Sequence, residues 1–181
     1  MLETNRPIEK TSARKRGALL WFRDLLITAA VLLLIGAFVL QPVRVKGESM
    51  RNTLQNGELM IVTKYDYLLG DPDRFDVVIC HFPEEGSTVF VKRIVGIPGD
   101  TVRIANGTLL INGDAVDEGY IEYPPNYAMP EKVVGPGNYF VLGDNRASSM
   151  DSHIVGLLDR EHIIGHVRQV IWPLDAVRTI E

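Results

Sequence analysis

The hydrophobic pattern divides the chain into three stretches of different character. Residues 1–18 are mostly polar and basic. Residues 25–40 contain neither a charge nor a proline, and Leu19, Leu20, Trp21 and Phe22 extend this apolar run toward the start of the chain. From residue 42 onward, short β-branched runs alternate with clusters of Gly, Pro, Asn and Asp. The pattern therefore predicts one long helix followed by a β-rich domain.

We interpret residues 19–41 as a transmembrane anchor, because about 1.5 Å per residue gives a helix that reaches across the roughly 30 Å of a bilayer's hydrocarbon core. Residues 1–24 carry a net charge of +3 and the remaining residues −7. Basic residues before an apolar helix favour a cytoplasmic start. The pattern thus predicts a cytoplasmic tail over residues 1–18 and an extracytoplasmic domain over residues 42–181, in a single-pass protein of the cell membrane.

The sequence argues against two other interpretations, a cleavable signal peptide over this region and a nucleic acid as the partner of the chain. A cleavable signal peptide also combines a basic start with an apolar run, but no pair of small residues at the required spacing follows the run here. The acidic remainder of the chain argues against a nucleic-acid partner. The lipid bilayer is therefore the expected partner of this part of the chain.

The domain after residue 42 is predicted to be mainly β, an antiparallel and barrel-like sheet. Asn106-Gly107 and Asn112-Gly113 each lie between apolar residues, which is typical of tight hairpins. Residues 114–137 hold four of the ten prolines and predict a small inserted cap, to which the sequence assigns no function. The predicted strands are residues 43–45, 59–62, 76–82, 88–95, 101–104, 108–111, 139–142 and 167–172.

Lys92 is a candidate general base. In an alternating strand it shares a face with Phe90 and Ile94, and Val91 and Val95 add to its apolar surroundings. A lysine takes up a proton efficiently at neutral pH only when its pKa falls to about 7–8, which burial among apolar groups can bring about. A lysine at a strand edge that reaches solvent is the simpler alternative.

Ser49 is a candidate nucleophile in the stretch 47–54. A serine after Gly-Glu ordinarily belongs to a turn. The glycine, however, permits a close backbone approach, and the amide of Ser49 itself can face a developing oxyanion.

The third polar cluster, residues 143–153, follows an apolar strand. A purely structural network of loop hydrogen bonds is one interpretation. The other is that Ser149 orients Lys92 while Asp151 and Arg146 anchor the site. Cys80 and His81 are expected to be ordinary strand residues, and the β context makes a helical metal site at His162 and His166 improbable. No metal and no cofactor are predicted.

Together these motifs resemble the bacterial type I signal peptidases, which are membrane-bound Ser/Lys endopeptidases. The matching blocks are Gly47-Glu48-Ser49-Met50 with Thr53-Leu54, Lys92-Arg93-Ile94-Val95-Gly96 with Pro98-Gly99-Asp100, and Gly143-Asp144-Asn145-Arg146 with Ser149, Asp151 and Ser152; the weaker block Arg74-Phe75-Asp76-Val77-Val78 also fits.

The resemblance implies an enzyme that releases secreted preproteins from their signal peptides after an Ala-x-Ala-like site. Ser49 would be the nucleophile and Lys92 the general base. The supporting residues would be Ser149, Asp151, Arg146 and Asp144. The substrate-binding residues would be Val45, Met50, Leu54, Phe90 and Val91, with residues 43–45 pairing with the substrate as an added strand.

Three residues depart from the family pattern. Asn52 stands where proline is usual, which loosens the turn after Ser49. Gly47 is similar to the Gram-positive type, whereas other members carry a serine there that donates to the oxyanion. His153 replaces a frequent arginine, which weakens the expectation of a fixed salt bridge.

Two rival functions share some of these features. A membrane-tethered β-domain that binds extended peptides without cutting them would need no reactive serine. A self-cleaving regulator of the same Ser/Lys clan would carry a helical DNA-binding unit, for which residues 1–24 are too short.

Overall fold

The computed structural model describes residues 9–86 and 88–180. Residues 1–8 of the predicted basic tail lie outside the described residues. The chain divides into two compact units, one that ends at Val39 and one that starts at Leu40.

The first unit is helix α1, Glu9–Val39. Large apolar side chains on it are exposed, including Leu19, Trp21 and Leu33. Within the residues that the structure describes, no helix combines the length and apolar character needed to cross a membrane. The predicted anchor is therefore not confirmed, and the predicted segment 19–41 extends past the helix into the first strand.

The second unit is mainly β, as predicted, and most of its strands lie where the alternation predicts them. They are β1 (Leu40–Arg44), β2 (Leu59–Thr63), β3 (Val77–His81), β4 (Val89–Gly96), β5 (Thr101–Ala105), β6 (Thr108–Ile111), β7 (Asp114–Ala115), β8 (Met129–Val133), β9 (Asn138–Leu142), β10 (Leu158–Asp159), β11 (Ile163–Trp172) and β12 (Arg178–Thr179). Its helical elements are short: α2 (Asp66–Leu69), α3 (Ser152–Val155) and 3₁₀ turns at Pro83–Glu85, Arg160–His162 and Leu174–Ala176.

The larger sheet has the strand order β1-β2-β11-β3-β4-β9-β10, with β12 also paired to β11. All of these pairs are antiparallel. Strand β1, which contains Pro42, is an edge strand of this sheet, where a residue without an N–H is tolerated. The result is an antiparallel sheet with two edges, which confirms the mainly β, antiparallel part of the predicted fold class.

The smaller sheet has the order β7-β6-β5-β8. Both predicted hairpins are confirmed here, because Asn106 and Asn112 have positive φ and each precedes a glycine that also has positive φ. Residues 114–137 are not wholly an excursion: β8 pairs with β5, and Met129 is buried. Pro130 is tolerated because the sheet ends at β8, so that strand has one unpaired edge.

Three apolar clusters form the core. Two lie on opposite faces of the larger sheet: Val77 and Ile79 of β3 pack in one, and Val78 and Cys80 in the other. The third joins the smaller sheet to β4 and β9 through Val95 and Phe140. Alternation along β3 therefore decides which of the two clusters each of its side chains enters.

Candidate active site

Asp144 is the point where the three sequence blocks meet. Its carboxylate accepts hydrogen bonds from Nε and Nη2 of Arg93, at 3.1 and 3.0 Å, and a third from the Thr53 hydroxyl. The Arg93 and Asp144 side chains are each only 1% exposed. Because Arg93 lies on β4 and Thr53 in the turn after Ser49, this buried ion pair holds strand, turn and loop together.

Lys92 lies on the face of β4 that points away from the core cluster containing Val77 and Ile79. Its side chain is 0% exposed, and Nζ lies 5.6 Å from the centroid of the Phe90 ring. Lys92 pairs across the sheet with Val78, whose cluster also contains Ile94. The predicted burial of Lys92 beside Phe90 and Ile94 is confirmed.

Two of the four residues expected around Lys92 lie elsewhere. Val91 packs against the cluster that contains Val77 and Ile79, and Val95 belongs to the cluster that joins the smaller sheet to β4 and β9. They have odd numbers on a strand whose successive side chains point to opposite faces, so they lie on the face away from Lys92. The alternation of side chains along β4 therefore already predicts that Val91 and Val95 lie on the face away from Lys92.

Among the described residues, the Lys92 amine has one hydrogen-bond partner, since Nζ donates to the Ser149 hydroxyl at 3.1 Å. Burial lowers the pKa of Lys92 below its ordinary value, and the charges of Asp151, Cys80 and Asp144 act in the opposite direction. A neutral amine is the form that can accept a proton. Sequence reasoning had linked Ser149 to this amine, and the structure brings the two together.

Gly143 brings Ser49 and Ser149 together. A methyl carbon on Gly143 would lie 2.5 Å from the Ser49 carbonyl oxygen and 2.6 Å from Ser149 Cβ, closer than packed atoms approach. The same Ser49 carbonyl accepts a hydrogen bond from the Asn145 amide at 3.0 Å. The absence of a side chain at Gly143 therefore lets the turn that carries Ser49 pack directly on the loop that carries Ser149.

Asp151 organises the end of that loop and is completely buried. Its carboxylate accepts from the Gly143 amide at 2.9 Å and from the His153 amide at 3.2 Å, and it lies 2.5 Å from His153 Nδ1. The next residue, Ser152, accepts a hydrogen bond from the Val141 amide through Oγ at 3.0 Å. His153 thus contacts the Asp151 carboxylate through both its backbone amide and its ring.

Arg146 supports the loop through a partner that sequence reasoning missed. Its Nε donates to the Gly143 carbonyl at 3.1 Å, and both terminal nitrogens bond to the carboxylate of Glu118. Glu118 lies in the predicted cap, which is distant in the sequence from all three blocks. No local pattern at Glu118 distinguishes it from the neighbouring exposed acids.

A cleft of about 420 Å³ adjoins Ser49. Its lining is largely apolar and comes from the end of β1 with the following turn and from the start of β4; the residues are Val43, Arg44, Val45, Lys46, Gly47, Ser49, Met50, Ile79, Thr88, Val89, Phe90 and Val91. Four of the five predicted substrate-binding residues are among them.

Leu54 is the exception. It does not line the cleft and is 0% exposed within the first core cluster. The Leu54 amide donates to the Met50 carbonyl at 2.8 Å, so one helical turn separates the two side chains and directs Leu54 into the core. Leu54 therefore lies apart from the cleft that adjoins Ser49, and its role in substrate binding stays a prediction.

Gly47 and Asn52, two of the three residues that depart from the family pattern, both have positive φ, of 91° and 90°. Proline is confined to φ near −65°, so it does not fit the conformation that Asn52 adopts. A methyl carbon on Gly47 would meet no atom within 4 Å. A side chain at Gly47 is therefore opposed by backbone conformation and not by lack of space.

One group of metal-ligand side chains occurs among the described residues, away from the three blocks in sequence. Asp159, Glu161 and His162 place one ligand atom each within 4.8 Å of the others. Both carboxylates are exposed. His166, by contrast, lies on β11 and shares no helix with His162.

The family follows from comparison with known proteins. The model of the family described as "Signal peptidase, peptidase S26" matches residues 18–172. The chain belongs to this signal peptidase family. Signal peptidase IB of Staphylococcus aureus is 34% identical over 177 residues, which cover 88% of this chain and 92% of the relative.

A second relative, from Bacillus, agrees with this assignment. Signal peptidase I P of Bacillus subtilis subsp. natto is 35% identical over 181 residues, with 94% of this chain and 97% of the relative covered. The crystal structure of a signal peptidase I from Enterococcus faecalis shares 32% identity and a TM-score of 0.47, covering 54% of this chain and 97% of that one. The protein is thus a signal peptidase, a hydrolase of the S26 peptidase family whose substrates are preproteins that bear signal peptides.

Proposed function

We propose that this signal peptidase is a serine endopeptidase that uses Ser49 as nucleophile and neutral Lys92 as general base, and that it cuts after Ala-x-Ala-like sites. The observation that carries the proposal is the fully buried Lys92 amine, bonded to Ser149 on a loop that packs against the Ser49 backbone. A buried amine with a lowered pKa has few structural uses, because burying it costs stability.

The chemistry proceeds in two halves. Lys92 Nζ takes the hydroxyl proton as Ser49 Oγ attacks the scissile carbonyl, and the resulting ammonium passes that proton to the departing amine. Lys92 then removes a proton from water, which attacks the acyl-enzyme ester, and Ser49 regains its proton as the ester breaks. The Ser49 amide is the proposed donor to the oxyanion in both halves.

The substrate binds in the cleft as an extended strand. In the part of the chain that the structure describes, β1 pairs with β2 alone, and the pairing of β4 with β9 covers only Arg93 to Gly96. Two strand edges therefore flank the cleft, one on each side, and each offers main-chain groups to a peptide. Val45, Met50, Phe90 and Val91 line shallow apolar surfaces that favour small side chains near the cut.

We also propose that α1 anchors the enzyme in the cell membrane, with its start in the cytoplasm and the β-rich unit outside. Two observations support this: the uncharged run over residues 25–40, and the exposed apolar side chains of α1 such as Trp21 and Leu32. Alkaline extraction of membranes tests it, since an anchored protein stays in the pellet. Release into the supernatant would contradict it.

The decisive experiment is cleavage of an Ala-x-Ala peptide in detergent by the wild type, Ser49→Ala and Lys92→Met. We expect both variants to lose at least about a thousandfold in kcat, since each removes one member of a unit that acts together. Ser148→Ala is the matched control, because Ser148 precedes Ser149 in the loop but carries no assigned role.

The outcomes separate the enzyme from its rival. Cleavage that continues undiminished in Ser49→Ala would contradict the assignment of the nucleophile. Peptide binding without cleavage by the wild type would favour a membrane-tethered binding domain. Loss of activity in both variants with peptide binding retained supports the proposal.

A further inference from the structure

The segment between β7 and β8, residues 116–128, contacts the loop that supports Lys92 at several points; we call it the brace loop. None of its residues lines the cleft beside Ser49. An effect of the brace loop on the catalytic step can therefore be measured separately from an effect on substrate binding in the cleft. The inference below rests on the proposed function of Ser49 and Lys92.

The first contact is a buried ion pair. Arg146 donates to Glu118 through both terminal nitrogens, while its Nε holds the Gly143 carbonyl. The Arg146 and Glu118 side chains are 1% and 5% exposed. Since Gly143 packs against both Ser49 and Ser149, Glu118 acts on the site through a single intervening side chain.

The second contact is a ring stack. Tyr127 lies on the His153 ring with 4.1 Å between centroids and an angle of 15°. His153 in turn contacts Asp151, which accepts the Gly143 amide. The Tyr127 hydroxyl is buried without a hydrogen-bond partner among the described residues, so the ring and not the hydroxyl makes the contact that matters.

The third contact is with the Asp144 ion pair. Arg93 stacks its guanidinium 4.0 Å from the centroid of the Tyr120 ring, and the Tyr120 hydroxyl donates to Glu118 at 2.7 Å. One short stretch of the brace loop therefore contacts the arginines that bind both Asp144 and Gly143. An ordinary surface loop has no reason to bury an acid and partly bury two aromatic side chains on the same network.

We propose that the brace loop positions the base of this enzyme, with Glu118 and Tyr127 as its positioning residues. They hold residues 143–153 closed over the Lys92 amine and keep Ser149 in place to orient it. Without them the loop opens, water reaches the amine, and the fraction of Lys92 aligned with Ser49 falls.

The test compares Glu118→Gln and Tyr127→Leu with Glu122→Gln and Tyr123→Phe, exposed neighbours of the same residue types in the same loop. The readouts are kcat, KM and the pH dependence of kcat on an Ala-x-Ala peptide. We expect kcat to fall about 10- to 100-fold in the first pair, as small misplacements of reacting groups do, with KM within about twofold. The low-pH limb of the profile, on which kcat rises as Lys92 loses its proton, should move to higher pH, because hydration restores the ordinary pKa of Lys92.

Tyr127→Phe keeps the ring and should retain most of the activity that Tyr127→Leu loses. Tyr127→Leu also keeps the proposal testable if Glu118→Gln fails to fold. If Tyr127→Leu keeps the kcat and the pH profile of the wild type while Ser49→Ala is inactive, the positioning role of the brace loop is refuted and the proposed function stands. Full activity of Ser49→Ala would instead overturn the proposed function itself.

Discussion

Lys92→Met should make the protein more stable while abolishing its activity, and the gain should depend on pH. Methionine is close to lysine in length and needs no hydrogen bonds. The substitution removes one hydrogen bond to Ser149, worth about 1 kcal/mol, and relieves the burial of an amine, worth about 1–3 kcal/mol. Methionine should therefore be favoured by about 1 kcal/mol above about pH 10.4, where the amine is neutral in the folded and the unfolded wild type alike.

The pH dependence follows from the lowered pKa of Lys92. Between that folded-state pKa and the unfolded value of about 10.4, the unfolded chain holds a proton that the folded chain lacks. Wild-type stability must then rise with pH by up to about 1.4 kcal/mol per pH unit from this one group, and fall by the same amount as pH decreases through the window. Below the folded pKa, both states bind the proton and the dependence disappears.

The assay is urea unfolding of wild type and Lys92→Met at several pH values from 6 to 9. Because all other titrating groups are common to both proteins, the difference in unfolding free energy isolates Lys92. The advantage of methionine should shrink as pH rises. A difference that stays constant over this range, or grows with pH, would show that Lys92 is charged in the folded protein and would refute the case for a neutral base.

Three further substitutions test the framework of the site by urea unfolding. Asp144→Asn should cost about 3–5 kcal/mol, since it breaks a buried ion pair, whereas Asp71→Asn in the exposed pair with Arg160 should cost at most about 1 kcal/mol; equal losses would contradict this. Gly143→Ala should cost about 1–3 kcal/mol through overpacking and should also lower kcat, and a neutral result would show that the contact with Ser49 relaxes freely. Asn52→Pro should destabilise by more than about 1 kcal/mol because its φ is 90°, while Asn52→Gly should be nearly neutral; a stabilising proline would mean that the turn adopts the usual family conformation.

Strand positions were readable from the sequence because the core clusters impose a period of two on β-branched residues. The same signal is missing where pairing is brief or the side chains are polar. Strands β7, β10 and β12 have two residues each, too few for any alternation. Strand β8 carries Pro130 and charged residues at a sheet edge, so its pattern is typical of a loop although Met129 is buried.

A site residue could be predicted from the sequence where its chemical type did not suit the position that the local hydrophobic pattern gives it. Lys92 stands out because a charge occupies a position that alternation assigns to the core. Glu118 and Tyr127 do not, since an acid and an aromatic residue are unremarkable in a proline-rich loop, and their partners are contributed by a loop after β9. The burial of Leu54 was not readable for a related reason: a motif gives the identity of a residue but not the turn of backbone that directs its side chain.

The proposed mechanism requires a neutral amine beside two buried carboxylates, although Asp151 and Asp144 each favour the ammonium form of Lys92. Both carboxylates face another donor in the structure. Asp144 pairs with Arg93 at 3.0 Å, and Asp151 contacts His153 at 2.5 Å and two backbone amides. Because these partners partly neutralise the two carboxylates, Asp151 and Asp144 raise the pKa of Lys92 by less than burial lowers it. The carboxylates therefore fix the geometry of the loop around the base without supplying the counter-charge that would keep the base protonated.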